Sequence, residues 1–454
     1  MDISQNALWE EVSRLTSDGA KPVHFRWGCQ FILDNETFEP TKLVNVKVTR
    51  QYHTQFTDEI VLTVIMPQGQ FNHRLYPNKD NFLVSLYKEP IGEVADSDDY
   101  DQEISTRTYR GMLLQKESSI VEGGDEAGVD EETLNTAGVD RYHIQLVDLA
   151  AEQLRMKTVG GIYRDMRTDD VVRGVLSWLS SDLGLDEEAS VKGVDVVSGN
   201  NDRVRDHVIV PQGVRAMAFP DYIQEFAGGI YSAGLGYYLQ NGVWFVYPQY
   251  NLKRFTNEPK NLTVFNIPRR RLPGIERTFL TDADRVTILS TGQTTQTDES
   301  EVQQLSLGNG TRYLDANRTI DLWREVNQNV ATVSRQENMR ELTLRSRKVG
   351  LNYAPMSPRR ITANPYFEAS QIAPRMGTVI QTVWENADPD LIYPGMPVRY
   401  VYMEQEVLND IYGIVLGADY ATELQGRSIT STRYRCNVVL TLFVDIASAP
   451  TPAE

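Results

Sequence analysis

Tyr434-Arg435-Cys436-Asn437-Val438-Val439-Leu440-Thr441-Leu442-Phe443-Val444 places Tyr434, Cys436, Val438, Leu440, Leu442 and Val444 on alternate positions. Successive side chains of an extended chain point to opposite faces, so this run predicts one long strand with a well-buried face. The first third of the chain has the same habit. Val44, Val46 and Val48 alternate with Asn45, Lys47 and Thr49. Leu62 and Val64 continue it up to the turn signal Met66-Pro67-Gln68-Gly69, and Phe82, Val84 and Leu86 face away from Leu83, Ser85 and Tyr87. Half-buried alternation of this kind belongs to antiparallel strands. Residues up to about 155 therefore read as a β-barrel or sandwich. Ahead of it, Leu8, Trp9, Val12 and Leu15 recur at helical spacing, with Gly19 placed as a C-terminal cap.

Between about 156 and 265 the pattern is mixed. Thr168 is expected to cap a helix whose first turn carries Asp169 and Asp170. Its apolar stripe is Val171, Val172, Val175, Leu176 and Leu179, and it ends near Gly184. A second helix is expected from Asp221 through Tyr222, Ile223 and Phe226 to Ile230. Asn241-Gly242 then joins two β-prone runs, 237–240 and 243–246, which is the strongest short-range hairpin signal because both turn positions want positive φ.

Residues 291–311 are polar and read as a long loop. Ile320, Trp323, Val326, Val330 and Val333 suggest a helix, followed by arginines between Arg335 and Arg360. A weak internal repeat links the two β-rich ends. The first has Tyr76-Pro77, a strand to Tyr87, Tyr109-Arg110-Gly111, then Arg141-Tyr142 opening a strand to Val147. The last has Tyr393-Pro394-Gly395, a strand from Val398 to Met403, Ile411-Tyr412-Gly413, then Arg433-Tyr434 opening the strand to Val444. Either two unrelated antiparallel units share Tyr, Gly and Pro punctuation, or one chain carries two similar barrels around a different middle domain.

Composition narrows the chemistry. The 454 residues carry 45 basic and 62 acidic side chains, a net charge of −17, which argues against a dedicated nucleic-acid binder or attraction to an anionic membrane. No run approaches the ~18 apolar residues of a membrane span, and the first residues lack a signal-peptide pattern. Cytoplasmic synthesis is therefore expected, with no membrane insertion by this chain. Two cysteines, Cys29 and Cys436, exclude a disulfide framework and a cysteine-rich zinc site. Two buried thiols are expected, with a single long-range bridge as the alternative. The five histidines, His24, His53, His73, His143 and His207, have no metal-ligand spacing and read as structural.

The acidic runs Glu93–Glu103 and Glu117–Glu132 fail the EF-hand pattern, since Tyr100 and Asp101 stand where an oxygen ligand and Gly are required; they read as solvated loops. Gly228, Gly229, Gly234 and Gly236 lack the ending of a phosphate loop, and Ser232 lacks the first glycine of a nucleophile elbow. Arg269-Arg270-Arg271 and the arginines from Arg335 to Arg360 fit either a grip on an acidic partner or a neighbouring subunit, or a solvated surface. The expected sites are none: no catalytic, cofactor-binding or metal-binding residue is named, no cofactor is expected, and the chain is not expected to be an enzyme.

The segment Ile162-Tyr163-Arg164-Asp165-Met166-Arg167-Thr168-Asp169-Asp170-Val171-Val172-Arg173-Gly174-Val175-Leu176 resembles the strand and helix that follow the first barrel in phage tail baseplate hub proteins. These comprise the late control D family and the N-terminal part of type VI secretion spike proteins. Asp221–Phe226 and Gly234–Tyr238 resemble the same family's helix and aromatic hairpin. The resemblance implies a mostly β fold with α+β, in which two tube-like antiparallel β-barrels flank a mixed middle domain. The implied divisions are 1–155 for the first barrel with its N-terminal helix, 156–265 for the α+β domain, and 266–454 for the second barrel with an extension at about 291–375.

It also implies a homotrimer in the virion, at the tail baseplate, assembled in the host cytoplasm. Six barrels would then match a six-fold tail tube protein above and a three-fold central spike protein below. Other baseplate proteins and the tape measure protein would be further partners, and DNA would pass only transiently through the channel. A tail-borne cell-envelope-degrading enzyme and a receptor- or carbohydrate-binding tail module are the alternatives. The first would need a recognisable catalytic motif, and the second more often shows repeats and a fibrous stalk.

Overall fold

Alternating β-branched and aromatic residues build about half of the described residues into strands. The computed structural model describes residues 9–14, 24–33, 36–79, 81–91, 105–117, 138–268, 278–282, 284–290, 294–297, 313–315, 353–355, 364–366, 369–370, 373–404, 407–424 and 433–445. The acidic runs at 93–103 and 118–132, Arg269–Arg271, the helix expected at 320–333 and the arginines from Arg335 to Arg360 lie outside them.

The first strand set is β1 (His24–Leu33), β2 (Glu36–Phe38), β3 (Lys42–Thr49), β4 (Glu59–Pro67), β5 (Leu83–Ile91), β6 (Ser105–Glu117) and β7 (Val139–Asp148). The middle segment contributes α1 (Leu149–Met156), β8 (Thr158–Tyr163), α2 (Thr168–Ser181), β9 (Gly193–Val196), β10 (Val208–Arg215), α3 (Phe219–Phe226), β11 (Leu235–Gln240) and β12 (Val243–Pro248). The last set opens with β13 (Asn261–Asn266), β14 (Phe279–Asp282), β15 (Arg285–Ser290) and β16 (Thr294–Thr297). A separate pair, β17 (Tyr313–Asp315) and β18 (Tyr353–Pro355), follows. The chain closes with β19 (Thr378–Glu385), β20 (Pro397–Glu404), β21 (Val407–Leu424) and β22 (Tyr434–Val444).

Hydrogen bonding arranges both strand sets in one order. The first runs β1-β5-β6-β7-β4-β3 and the last runs β13-β20-β21-β22-β19-β16, so each strand of one has a counterpart in the other. The correspondence extends to β2, which pairs with β1, and β15, which pairs with β13. Three differences separate the sets, the first being that β13 runs parallel to β20 whereas β1 runs antiparallel to β5. β14 forms a hairpin with β15, which turns β15 parallel to β13, whereas β2 is antiparallel to β1. The β21–β22 hairpin is also long enough to reach the first set, where Tyr420–Glu423 pair with Asn45–Val48 of β3 and Tyr434 pairs with Phe25 of β1. These pairings close a ring of strands, β21-β3-β4-β7-β6-β5-β1-β22 and back to β21.

The expected faces hold. In β22 the alternate residues from Tyr434 to Val444 are buried; Phe443 is buried as well, because Tyr250 covers it edge-on at 5.0 Å. In β3 a bulge at Val44 lets Leu43 and Val44 both turn inward.

The middle segment has its own core, in which Val171, Val172, Val175, Leu176 and Leu179 of α2 pack with Leu154, Val210, Phe219, Ile223 and Trp244. Leu176 is fully buried there. Leu176→Ala is expected to lower the unfolding free energy by about 2–5 kcal/mol, as read by chemical denaturation. Asn241 (φ 50°) and Gly242 (φ 78°) make the expected hairpin turn between β11 and β12.

Three local expectations are corrected. Thr168 is the first helical residue and not the cap: its hydroxyl donates to the Gly229 carbonyl at 2.8 Å. α3 stops at Phe226, before Ile230, because Gly228 and Gly229 take positive φ (120° and 72°). Part of the loop expected at 291–311 is the strand β16, paired with Val379–Thr382 of β19. The helical residues 9–14 are present, and Val12 packs on Phe265, Ile267, Leu289, Val401 and Leu408, all in or beside the last strand set.

Candidate functional site

A cluster of ionisable groups is buried where the two strand sets and the middle segment meet. Arg50 and Asp58 flank the β3–β4 connection, and Lys88 sits on the inward face of β5. Asp388 and Asp390 lie in the turn between β19 and β20, while Tyr238, Gln240 and Asn241 come from β11 and its hairpin tip. Arg50 is 2% exposed, Lys88 3% and Asp388 0%.

Arg50 Nε donates to Asp58 Oδ2 at 3.0 Å, and its Nη1 donates to the Pro389 carbonyl at 3.1 Å. Its Nη2 stands 3.8 Å from Asp390 Oδ1, and the guanidinium lies over the Tyr420 ring at 5.0 Å. The backbone of the same residue is gripped by β21: its N–H donates to Asp419 Oδ1 at 2.7 Å, and its carbonyl accepts from Ala418 at 2.9 Å. Lys88 Nζ donates to Asp388 Oδ1 at 2.6 Å and also to Asp390. Phe25 faces the ammonium at 4.6 Å. Tyr238 donates to Asp58 Oδ1 at 3.0 Å, and Asn241 Nδ2 to Asp390 Oδ1 at 3.3 Å. Gln240 accepts from the Tyr52 hydroxyl at 3.0 Å and donates to the Ile392 carbonyl at 2.8 Å.

Burial and pairing compete over the charges. Burial pushes the Asp58 carboxyl up, against Arg50 and the Tyr238 hydroxyl. Burial acts the same way on Asp390, but Lys88 and Arg50 outweigh it and hold that carboxyl below its usual range. Burial alone would lower Lys88, yet Asp388 and Asp390 keep its ammonium well above the usual range. The cations and carboxylates are thus engaged with one another, and the arrangement fastens three parts of the chain together.

A second buried pair serves the same end nearer α1. Arg107 Nε donates to Asp148 Oδ2 at 2.8 Å, while Asp148 Oδ1 accepts from the Ala151 N–H and caps α1. Arg107 Nη1 reaches the Ser190 carbonyl at 3.2 Å, fixing the middle segment to β6.

The other residues singled out in the sequence are dispersed. Ser232 donates to Asn200 Oδ1 at 3.1 Å, and Gly228–Gly229 form the turn that ends α3. His143 lies 3.2 Å from the Thr63 hydroxyl and His53 3.3 Å from the Leu416 carbonyl. Cys29 and Cys436 are free and buried, and burial pushes both thiols up. Among the described residues no group of three or more His, Cys, Asp or Glu could hold a metal ion. No helix there is long and apolar enough to cross a membrane. Sequence reasoning missed Arg50, Lys88, Asp388 and Asp390; a lysine among the inward positions of β5 was the available signal.

No protein-family model matches the chain, and no curated protein matches it. Solved structures that it is similar to include a tail protein from Neisseria meningitidis MC58, at 10% identity and TM-score 0.42, covering 92% of this chain and 96% of that one. Another is the 43 kDa tail protein of prophage MuSo2 from Shewanella oneidensis, at 8% identity and TM-score 0.43, covering 91% and 98%. A third is an E. coli component of the type VI secretion system, described as structurally similar to the T4 bacteriophage tail proteins gp27 and gp5. It matches at 8% identity and TM-score 0.36, covering 96% and 78%. Likeness at this level leaves function to be argued from the chain's own sheet order and sequence.

Proposed function

We propose that this chain is a structural baseplate hub of a bacteriophage-type tail, joining a six-fold tail tube to a three-fold central spike. The observation that carries the reading is the shared strand order of β1-β5-β6-β7-β4-β3 and β13-β20-β21-β22-β19-β16. In this reading each strand set is a tube-like barrel, and the middle segment is a separate α+β domain held between them. Three copies then present six nearly equivalent barrels to the tube and a three-fold face to the spike. Every copy adds −17 of charge, and an acidic channel wall repels the DNA backbone. The role is mechanical, without catalysis or cofactor, within a virion whose tube, spike, tape measure and other baseplate proteins are the partners.

The test is assembly. Light scattering is expected to give three chain masses for the purified chain, or three copies of it per complex once tube and spike proteins are added, and negative-stain images should show rings with a central hole. A clear lytic zone on peptidoglycan zymograms, or a chain that stays monomeric with both partners present, would remove the hub reading.

A further inference from the structure

The last strand set reaches the first mainly through β21 on β3, with Tyr434 of β22 on Phe25 of β1 as a single further pair, and the strands corresponding to β21 and β3 are left open in the reverse direction. β21 outlasts its neighbour β20: the final tie between them is the Val415 N–H to the Met396 carbonyl at 2.9 Å, and the edge beyond it accepts β3 at Tyr420–Glu423. β6 outlasts β5 in the same way. Its final tie is the Gly111 N–H to the Phe82 carbonyl at 3.0 Å, and it continues to Glu117. Beyond Gly111, on the side away from β7, no strand pairs with β6 among the described residues, and Met112 there is 49% exposed.

The acceptors correspond as well. β3 pairs with β4 on one edge and with β21 on the other, whereas β16 pairs with β19 and ends the sheet among the described residues. Thr294 and Thr295 of β16 are exposed. An unpaired edge of backbone N–H and C=O groups is a template for another strand.

We infer that β6 of one copy pairs antiparallel with β16 of a neighbouring copy, repeating between chains the contact that β21 makes with β3 within one. Such a contact is head-to-tail, because the two surfaces differ. If the step between units is the same within and between chains, the units alternate around one ring, and closure at six units needs three chains. The inference rests on the hub reading and names the strands that would build the ring.

Cysteine cross-linking tests the pairing. Lys47→Cys with Ala421→Cys is the internal control, since these residues lie directly opposite across β3 and β21; it should close within one chain. Lys116→Cys in β6, combined with Thr295→Cys or Thr297→Cys in β16, should yield two- and three-chain species on non-reducing gels. Mixing the single variants should yield the two-chain species alone. Gln296→Pro, which removes a backbone donor from β16, should raise the concentration needed for assembly about tenfold or more while the melting temperature stays near that of the parent. Rings that form without these cross-links, and that tolerate Gln296→Pro, would overturn the pairing and leave the hub reading standing. A chain that is monomeric with tube and spike present would overturn both.

Discussion

Lys88→Met is expected to lower the unfolding free energy by about 3–5 kcal/mol, the cost of leaving a buried charge without its partner. The Lys88 side chain is 4% exposed and that of Asp388 is 0% exposed, so water does not replace the lost ammonium. Asp388 would keep the Asp390 N–H at 3.2 Å, and Asp390 would keep Asn241, but neither contact neutralises a carboxylate. The loss also removes the cation from the face of Phe25.

The pH dependence gives a second readout. Asp390 is held below its usual range in the folded chain, so its contribution is present above the ordinary carboxylate pKa and is lost as pH falls through the folded value. Lys88 is held above its usual range, so its contribution is present below the ordinary ammonium pKa and is lost only as pH rises through the raised value. In Lys88→Met Asp390 loses the nearer of its two cations, keeping only Arg50 at 3.8 Å, and binds protons more readily. The stability deficit should therefore narrow as pH falls toward about 4. Adding Asp388→Asn and Asp390→Asn should recover a large part of it at neutral pH, because the unpaired charges go with their partner. Urea titrations of the parent, single and triple variants at pH 7 and pH 4.5 check all three statements. A single variant that unfolds at the parent's midpoint would show that water reaches the junction.

Much of the sheet was legible because one-sided burial writes itself into the sequence. The alternation of β22 and β3, and the Asn241-Gly242 turn, each follow from a local rule, to which tertiary contacts only add Phe443 and the Val44 bulge. The matching landmarks also fell in strands with corresponding neighbours, since Tyr109-Arg110-Gly111 lies in β6 and Ile411-Tyr412-Gly413 in its counterpart β21. Strand partners were not legible. Val46 donates to Thr422 across 376 residues of sequence, and no periodicity says which strand a buried face will meet. β16 was hidden for a related reason: Thr294-Thr295-Gln296-Thr297 has no apolar face to announce it, because it ends a sheet. Helix ends failed where a distant group outbid the local one, as when Thr168 turned its hydroxyl to Gly229. The junction was opaque because Arg50, Lys88 and Asp388 are single polar residues that become a cluster only after the sheet closes.

Gly395→Ala should destabilise the chain by about 3 kcal/mol or more, and two separate causes add to give that figure. Gly395 has φ +69°, where a side chain costs roughly 1–2 kcal/mol. An added Cβ would also lie 2.2 Å from Cδ2 of Tyr247, and overpacking a filled core costs about 1–3 kcal/mol. The ring cannot retreat cheaply: Tyr247 is 1% exposed and its hydroxyl donates to the Tyr52 carbonyl at 3.2 Å, inside the same junction that holds Arg50. Moving the turn instead would draw the Gly395 carbonyl from Arg254 Nη1, now at 3.0 Å. Gly138→Ala separates the causes, because Gly138 has φ +63° with nothing within 4 Å of the added atom. It should lose only the conformational part, about 1 kcal/mol. Thermal unfolding of the two variants beside the parent decides the matter. Equal losses would mean that the turn before β20 shifts freely, and that Tyr247 does not wedge the middle segment against the last strand set.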